Sequence, residues 1–268
     1  MKLIENEEQL DDLFERYFIK KTQTNNYLLA DSYHTLIRER KLYYTDSESN
    51  CALFLQKDDF FRMYYFINNV EEILNIGMGL PVVMEIIYRG ENNYPKRIID
   101  YWLNCGFANH LTRVNMQGVY DKLELSFEEF ESFTIKYAES AFEIEYAKKI
   151  IDATLDKYTG DILSIIELKQ YADNNCLLIA YDGGQPAGIL QFEIKHGVVW
   201  LGHICVDSDF RGKGIAKKLV SRYLKDNFTS IPSRYQLWVL NNNLPALELY
   251  RKFGFTSANK FTTSLIKR

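Results

Sequence analysis

Residues 198–227 constrain this chain most. The run VVWLGHICV, from Val198 to Val206, reads as a buried strand. Residues 212–227 read as a helix with Ile215, Leu219, Tyr223 and Leu224 on one stripe. The two are joined by VDSDFRGKGIA, from Val206 to Ala216. A glycine-rich turn at such a junction exposes successive backbone N–H groups, and the helix N-terminus adds the positive end of its dipole. Gly212 and Gly214 remove side chains that would block close approach, while Arg211 and Lys213 add positive charge. The segment is a candidate cradle for a diphosphate.

The elements around it follow from periodicity. Residues 143–157 place Ile144, Ala147, Ile151 and Leu155 on one helical face, and residues 165–173 predict a second short helix. Residues 176–181 read as a buried strand and 186–193 as its return, joined by Asp182-Gly183-Gly184, where glycine supplies positive φ. A second turn at His196-Gly197 leads into the strand at 198–206. After the central helix come a strand at 235–240, a helix at 244–253 and a final strand at 261–266. This order predicts an α/β fold with a mixed, largely antiparallel sheet flanked by helices.

The first half repeats the order in worn form. Helices are predicted at 6–20 and 32–40, then strands at 41–45, 51–57 and 61–67. A brief helix at 70–76, a strand at 82–88 and a helix at 94–104 complete it. Asn93-Tyr94-Pro95 running to Trp102, Gly106 and Phe107 echoes Asn243-Leu244-Pro245 running to Tyr250, Gly254 and Phe255. A duplicated fold accounts for both the order and the echo, with one domain at 1–130 and another at 131–268. The charged and aromatic residues 121–141 are expected to join them.

Charge separates the halves: residues 1–130 hold 14 Lys+Arg against 21 Asp+Glu, and residues 131–268 hold 18 against 15. Neither has the basic stripe of a nucleic-acid binder, so no nucleic-acid partner is expected. A hydrophobic fraction of 47% excludes a disordered chain. No stretch approaches the roughly 18 apolar residues of a membrane span, and the start lacks a signal peptide's apolar core. A cytoplasmic protein with no membrane partner is expected. Cys51, Cys105, Cys176 and Cys205 lie far apart without a C-x-x-C pair, and read as buried thiols with no metal site.

Which diphosphate ligand the loop suits depends on its spacing. The Walker pattern G-x-x-x-x-G-K-[ST] fails because Ile215-Ala216 follow Gly214, and G-x-G-x-x-G fails because Lys217 stands at its third glycine. The segment does match R-x-x-G-x-[GA], through Arg211, Gly214 and Ala216. Beyond the next strand comes N-x-x-A-x-x-x-Y-x-x-x-G-F, through Asn243, Ala246, Tyr250, Gly254 and Phe255 without a gap. With both motifs in this order, residues 135–268 resemble the GCN5-related N-acetyltransferase (GNAT) superfamily. The first half shares the element order and the Trp102-to-Phe107 echo. The whole therefore resembles two tandem acyl-CoA N-acyltransferase-like domains.

That resemblance implies an N-acetyltransferase with acetyl-CoA as acyl donor and a small-molecule or peptide amine as acceptor. Backbone groups of Ile204, Cys205 and Val206 would pair with the pantetheine arm. The amides from Arg211 through Gly212, Lys213, Gly214 and Ile215 to Ala216 would hold the pyrophosphate. Asn243 would fix the coenzyme beyond the strand end, and can equally cap the following helix. Tyr250 would protonate the departing thiolate, and the Val206 N–H would meet the oxyanion. The candidate bases are His203 and Glu193, with ordered water as the alternative. Strand alternation sets His203 opposite Val206 unless a bulge intervenes.

In the first half only Asn68-Asn69 separates the strand at 61–67 from the helix expected next, so the phosphate loop is missing. Trp102 also stands where the tyrosine would be. One working site per chain is expected, in a monomer or homodimer. The alternatives are a non-catalytic CoA-binding or scaffold protein, and a relative that uses an aminoacyl-tRNA donor.

Overall fold

A computed structural model describes residues 1–77, 79–119, 133–227 and 234–268. The chain condenses into two compact units, Met1–Thr112 with Lys260–Arg268, and Arg113–Asn259. These bounds differ from a single cut near residue 130 in one respect that matters. The last strand of the chain belongs to the first unit.

The first unit contains β1 (Lys2–Leu3), α1 (Glu7–Tyr17), β2 (Gln23–Thr24), α2 (Ala30–Arg38), β3 (Leu42–Asp46), β4 (Cys51–Gln56), β5 (Phe61–Ile67), β6 (Val82–Arg89) and α3 (Lys96–Asn104). Its strands lie in the order β1-β3-β4-β5-β6, and the chain's final strand, β13 (Thr256–Lys267), pairs antiparallel with β6 from Lys260 to Lys267. Alternation along β5 sorts its side chains to two faces. Met63, Tyr65 and Ile67 pack with Ile98, Ile99 and Trp102 of α3, while Tyr64 and Phe66 pack with Leu10, Leu13 and Tyr17 of α1 and Ile37 of α2.

The second unit draws its outer strand from before its own helices. Residues 113–119 of β7 (Ala108–Val119) pair antiparallel with β12 (Arg234–Leu240). From there the order runs β12-β11-β10-β9-β8, with β11 at Val198–Val206, β10 at Gln185–Lys195, β9 at Leu177–Asp182 and β8 at Phe133–Tyr137. The helices are α4 (Ala141–Thr154), α5 (Ile165–Asp173), α6 (Ile215–Asp226) and α7 (Leu244–Lys252). Ile144, Ala147 and Ile151 of α4 and Leu168 and Ala172 of α5 cover Leu177, Ile179, Ile189 and Cys205. Phe192 meets Tyr223 of α6 with ring centroids 5.3 Å apart. Ser140 and Ser164 open α4 and α5 as capping boxes with Glu143 and Glu167, which satisfies their first amides locally.

The duplication extends to hydrogen bonds at the ends of α3 and α7. Phe107 N–H donates to Trp102 O at 3.0 Å, and Phe255 N–H donates to Tyr250 O at 3.1 Å. Gly106 and Gly254, which terminate these helices, have φ of +86° and +81°, the left-handed conformation such a stop requires.

Two expectations need correction, and one strand was not expected. Residues 70–76 are not a helix. The Tyr101 hydroxyl accepts from Leu74 N–H (3.1 Å) and lies 3.1 Å from Glu72 O, which also accepts from the Asn50 amide at 2.9 Å. These side chains supply the partners a helical ladder would have supplied. Second, part of the expected joiner is strand β8, while residues 120–132 lie outside the described residues. Strand β7 was not expected: its apolar alternation is confined to Val114 and Met116 between polar neighbours, too short a run to mark a strand. The four cysteines are free thiols, with Cys51, Cys105 and Cys205 buried. Among the described residues no helix is long and apolar enough to cross a membrane, and no cluster of three or more His, Cys, Asp or Glu is set to hold a metal.

Candidate functional site

The parallel strands β11 and β12 pair only from Val198 with Arg234 to Leu201 with Leu237. Beyond that point β11 continues to Val206 and β12 to Leu240 without further pairing to each other. The pair therefore splits. On its other side β11 remains bonded to β10, and Asp207 N–H donates to Ala187 O at 3.0 Å. Antiparallel alternation then turns the peptides of His203 and Cys205 toward β10, and those of Ile204 and Val206 toward the split. Two peptide units face the opening.

The loop stands at the mouth of that opening. Gly212 and Gly214 take φ of +79° and +86°, and a Cβ on either would touch nothing within 4 Å. The glycines answer to backbone conformation rather than to packing inside the protein. Gly214 is the N-cap of α6 and offers no side-chain cap, and the first ladder bond runs from Lys218 N–H to Gly214 O at 3.1 Å. The opening amides of α6, including Ile215 and Ala216, thus precede its ladder and converge outward with the dipole behind them. Ile215 itself is buried and anchors the turn near Gly188.

The two cations are engaged differently. Arg211 Nε donates to Val206 O at 3.1 Å, which ties the loop back to the strand. Lys213 Nζ lies 2.8 Å from Asp182 Oδ2 and over the Phe210 ring. Its charge is paired within the hairpin rather than held ready, which the sequence alone did not reveal.

Tyr250 is 3% exposed, with its ring 5.9 Å from that of Phe255. Burial pushes its hydroxyl above the ordinary phenol range, with the Cys205 thiol as the second cause. Cys205 is itself pushed up to about 12, chiefly by burial. Both groups hold their protons at neutral pH. Asn243, at an exposed position, caps α7 through its side-chain oxygen, which accepts from Ala246 N–H at 3.2 Å.

The base candidates separate. A bulge does interrupt β11, with Leu201 opposite Phe192 and His203 opposite Gln191, so that Gly202 is the extra residue. A Cβ on Gly202 would strike the Gln191 amide at 2.0 Å, which explains the glycine. Because the bulge precedes His203, it leaves His203 and Val206 on opposite faces, and His203 shares the face of Cys205 under α4 and α5. Burial lowers the His203 pKa, so the ring is neutral at pH 7. Its Nε2 lies 3.2 Å from Asp161 O, in the loop between α4 and α5. Glu193 sits opposite Trp200, five residues along β10 from Gly188, or about 17 Å from the loop end of the strand. The structure brings Ile204–Val206, the glycine loop, Asn243 and Tyr250 to one end of the sheet, and leaves Glu193 at the other.

Residues that sequence reading missed lie over the split. Arg113 Nη2 reaches Thr159 O (3.1 Å) and Thr159 Oγ1 (2.8 Å) from β7. The Tyr146 hydroxyl on α4 is buried without a hydrogen-bond partner, and its surroundings include Asp207 and Cys205. Neither residue belongs to a motif: Tyr146 lies on a helix read only as packing, and Arg113 on a strand the sequence did not reveal.

The first unit has the same split in a different state. β5 and β6 pair in parallel only at Phe61–Val82 and Arg62–Val83. The Asn25 side chain lies between them, donating to Met63 O (3.1 Å) and Glu85 O (3.0 Å) and accepting from Tyr65 N–H (2.9 Å). Gln23 and Thr24 pair with Ile67 and Phe66. Past the strand end, the amides of Asn68 and Asn69 donate to Asn50 Oδ1 at 2.9 and 3.0 Å.

Known proteins resemble this chain in sequence and fold. Residues 135–255 match the model of the Acetyltransferase (GNAT) family. A spermine/spermidine N(1)-acetyltransferase of Bacillus subtilis (strain 168) is 34% identical over 64 residues, which cover 23% of this chain and 41% of that protein. A GCN5-related N-acetyltransferase from Sphaerobacter thermophilus has a similar fold, with a TM-score of 0.59 at 14% identity over 81% of this chain and 76% of that one. A tandem GNAT protein from the clavulanic acid biosynthesis pathway gives a TM-score of 0.53 at 10% identity, over 84% and 83%. The family match spans the split strands, the glycine loop and the Tyr250 helix, so residues 135–255 form a GNAT-family segment, and the fold along most of the chain is shared with GNAT proteins, a tandem one among them.

Proposed function

We propose that the second unit transfers an acetyl group from acetyl-CoA to a primary amine of a small-molecule or peptide acceptor. One observation carries the reading: an opening with the Ile204 and Val206 peptides facing in, and the uncapped amides of the Gly212–Ala216 turn at its mouth. An extended amide-bearing arm that ends in a diphosphate needs those two features in that order. The bound donor would supply an activated thioester.

The chain's own residues supply the rest. The Ile204 peptide binds the arm as a neighbouring strand would, while the Val206 carbonyl is held by Arg211 Nε. The loop amides and the Arg211 charge hold the diphosphate, and the side-chain amide of Asn243 meets the coenzyme beyond β12. The Val206 N–H is placed for the developing oxyanion. Tyr250, protonated throughout the neutral range, gives its proton to the leaving sulfur. His203, neutral at pH 7, is better placed than Glu193 to take the proton from the amine. Spermine and spermidine head the acceptor panel because of the 64-residue match.

A second reading, a non-catalytic CoA-binding or scaffold protein, keeps the loop and the split but not the role of Tyr250. The test has two steps. Millimolar acetyl-CoA should raise the melting temperature, since a ligand of the folded state stabilises it by mass action; no shift removes the donor assignment. Acetylation of polyamines, other small amines and peptide N-termini should then yield product. Binding without product on any of them supports the scaffold reading.

A further inference from the structure

The loop between α4 and α5, residues 155–164, is held at two points. One is on β11, where the Asp161 carbonyl lies 3.2 Å from His203 Nε2. The other is on β7, where Arg113 donates to both the carbonyl and the hydroxyl of Thr159. Arg113 stands opposite Leu240, the last residue of β12. The two anchors therefore flank the split between β11 and β12, and the loop spans it like a strap on the His203 face.

The strap is internally fixed as well. Asp156 Oδ1 accepts from the Tyr158 and Thr159 amides and from the Thr159 hydroxyl at 3.2, 2.9 and 2.8 Å. With its hydrogen given to Asp156, Thr159 Oγ1 meets Arg113 with a lone pair. A Cβ at Gly160 would lie 2.4 Å from Asp156 O, so the turn admits only glycine there. Asp161 carries φ of +46°, an uncommon conformation for a residue with a side chain. That conformation aims its carbonyl at His203.

A carbonyl oxygen only accepts, so His203 Nε2 carries the ring hydrogen and Nδ1 of the neutral ring carries the lone pair. We propose that Arg113 is a positioning residue for acyl transfer: by tying Thr159 it holds the strap across the split, and the strap fixes His203 in the tautomer whose Nδ1 accepts the proton of the attacking amine. The inference rests on the acetyltransferase reading. In the step itself, the amine nitrogen forms the C–N bond and the C–S bond breaks. His203 Nδ1 takes the proton released by nitrogen, and the thiolate takes the Tyr250 proton. Solvent exchange afterwards returns His203 to its neutral form and Tyr250 to its protonated form. Arg113 lies outside residues 135–255, so the working unit needs a strand that the family-matched segment does not contain.

The test uses the full chain with Arg113→Ala, Arg113→Lys and Thr159→Val. Arg113→Ala should lower kcat/KM for the amine by about tenfold to a hundredfold, the scale of misplacing a reacting group by an ångström. Acetyl-CoA affinity by calorimetry should stay within about twofold, because the strap's anchors are Arg113 on β7 and His203 on β11 rather than the glycine loop. Arg113→Lys should recover part of the loss, and Thr159→Val should reproduce it if the alanine variant folds poorly. Nitrogen NMR of the His203 ring should show Nε2 protonated in the parent and a tautomer mixture in Arg113→Ala. Parent-like turnover and an unchanged His203 tautomer in both Arg113→Ala and Thr159→Val would overturn the inference. If the parent itself neither binds acetyl-CoA nor acetylates an amine, it is the acetyltransferase reading that fails.

Discussion

The two splits begin alike and end in opposite states. In each unit a parallel pair opens after a short registered stretch and leaves strand peptides facing a gap. In the first unit those peptides are spent: Asn25 bonds Met63, Tyr65 and Glu85, and Asn50 takes the Asn68 and Asn69 amides beyond the strand end. In the second unit the equivalent positions are a glycine turn and an uncapped helix start. Buried peptide groups must find partners. A degenerate copy can satisfy them with its own side chains, whereas a copy that takes a ligand must leave them for the ligand. On the proposed acetyltransferase reading, the difference between the two units lies in which groups are left unmatched, more than in the fold.

The strongest way to break this comparison is to count coenzymes. Calorimetry should give one acetyl-CoA per chain, and two would show that the Asn25 plug does not close the first unit. Gly214→Val should then abolish that single event. A β-branched residue at φ of +86° carries a conformational cost of a few kcal/mol and disrupts the amide turn. Since nothing inside the protein crowds that position, the variant should fold, yet lose acetyl-CoA affinity by about a hundredfold or more.

The converse experiment acts on the plug. Asn25→Ala removes three hydrogen bonds, and at about 1 kcal/mol each it should cost about 3 kcal/mol of stability in a urea titration. Asn25→Asp should cost at least as much, because a carboxylate cannot donate to Met63 O or Glu85 O. Neither change should create a second acetyl-CoA site, for the loop amides remain missing. An Asn25→Ala chain as stable as the parent would mean that the gap needs no occupant.

Sequence reading marks the second unit's candidate site because its signals are local. A strand, two glycines and a helix start within 30 residues, and the Asn243-to-Phe255 run on one helix, carry their own signals. It failed where partners come from afar. Asn25 serves peptides 38, 40 and 60 residues away, and a lone asparagine in a polar stretch announces nothing. Arg113 sits on a strand whose polar sequence hides its pairing. The final strand was predicted, but its place in the first unit was not, since alternation marks a strand without naming its neighbour.

A third comparison sets Tyr250 against Trp102, its positional echo. Trp102 is fully buried in the first unit's core with its indole N–H unpartnered, and that N–H is far too weak an acid to protonate a thiolate. Tyr250→Phe should lower kcat by about tenfold to a hundredfold and leave acetyl-CoA affinity unchanged. Because burial raises the Tyr250 pKa, its ionisation should not limit turnover below about pH 10. The His203 pKa is lowered by burial, so activity should fall on the acid side, below about pH 6.5, as the ring gains its proton. The stability effect has the same sign: a depressed folded-state pKa contributes stability above the unfolded value and loses it as pH falls through the folded one. A basic limb near pH 9 that vanished in Tyr250→Phe would contradict this assignment.

The smallest effect separates charge from backbone at the loop. Lys213 is held by Asp182 at 2.8 Å, with the two side chains 47% and 24% exposed, and such a pair is worth about 0–1 kcal/mol. Asp182→Asn frees the lysine and removes a negative charge beside the proposed diphosphate site. Acetyl-CoA should then bind about two- to fivefold more tightly at low ionic strength, and the gain should fade as salt shortens the Debye length. Lys213→Ala should weaken binding by a similar factor. Glu72→Gln supplies the control in the first unit. That carboxylate accepts from the Glu48 and Ser49 amides, and no loop cation follows β5 for it to restrain. Its loss should leave coenzyme affinity unchanged at every salt concentration. If Glu72→Gln and Asp182→Asn raised affinity equally, the gain would come from overall charge. A gain confined to Asp182→Asn would assign it to the Lys213 contact.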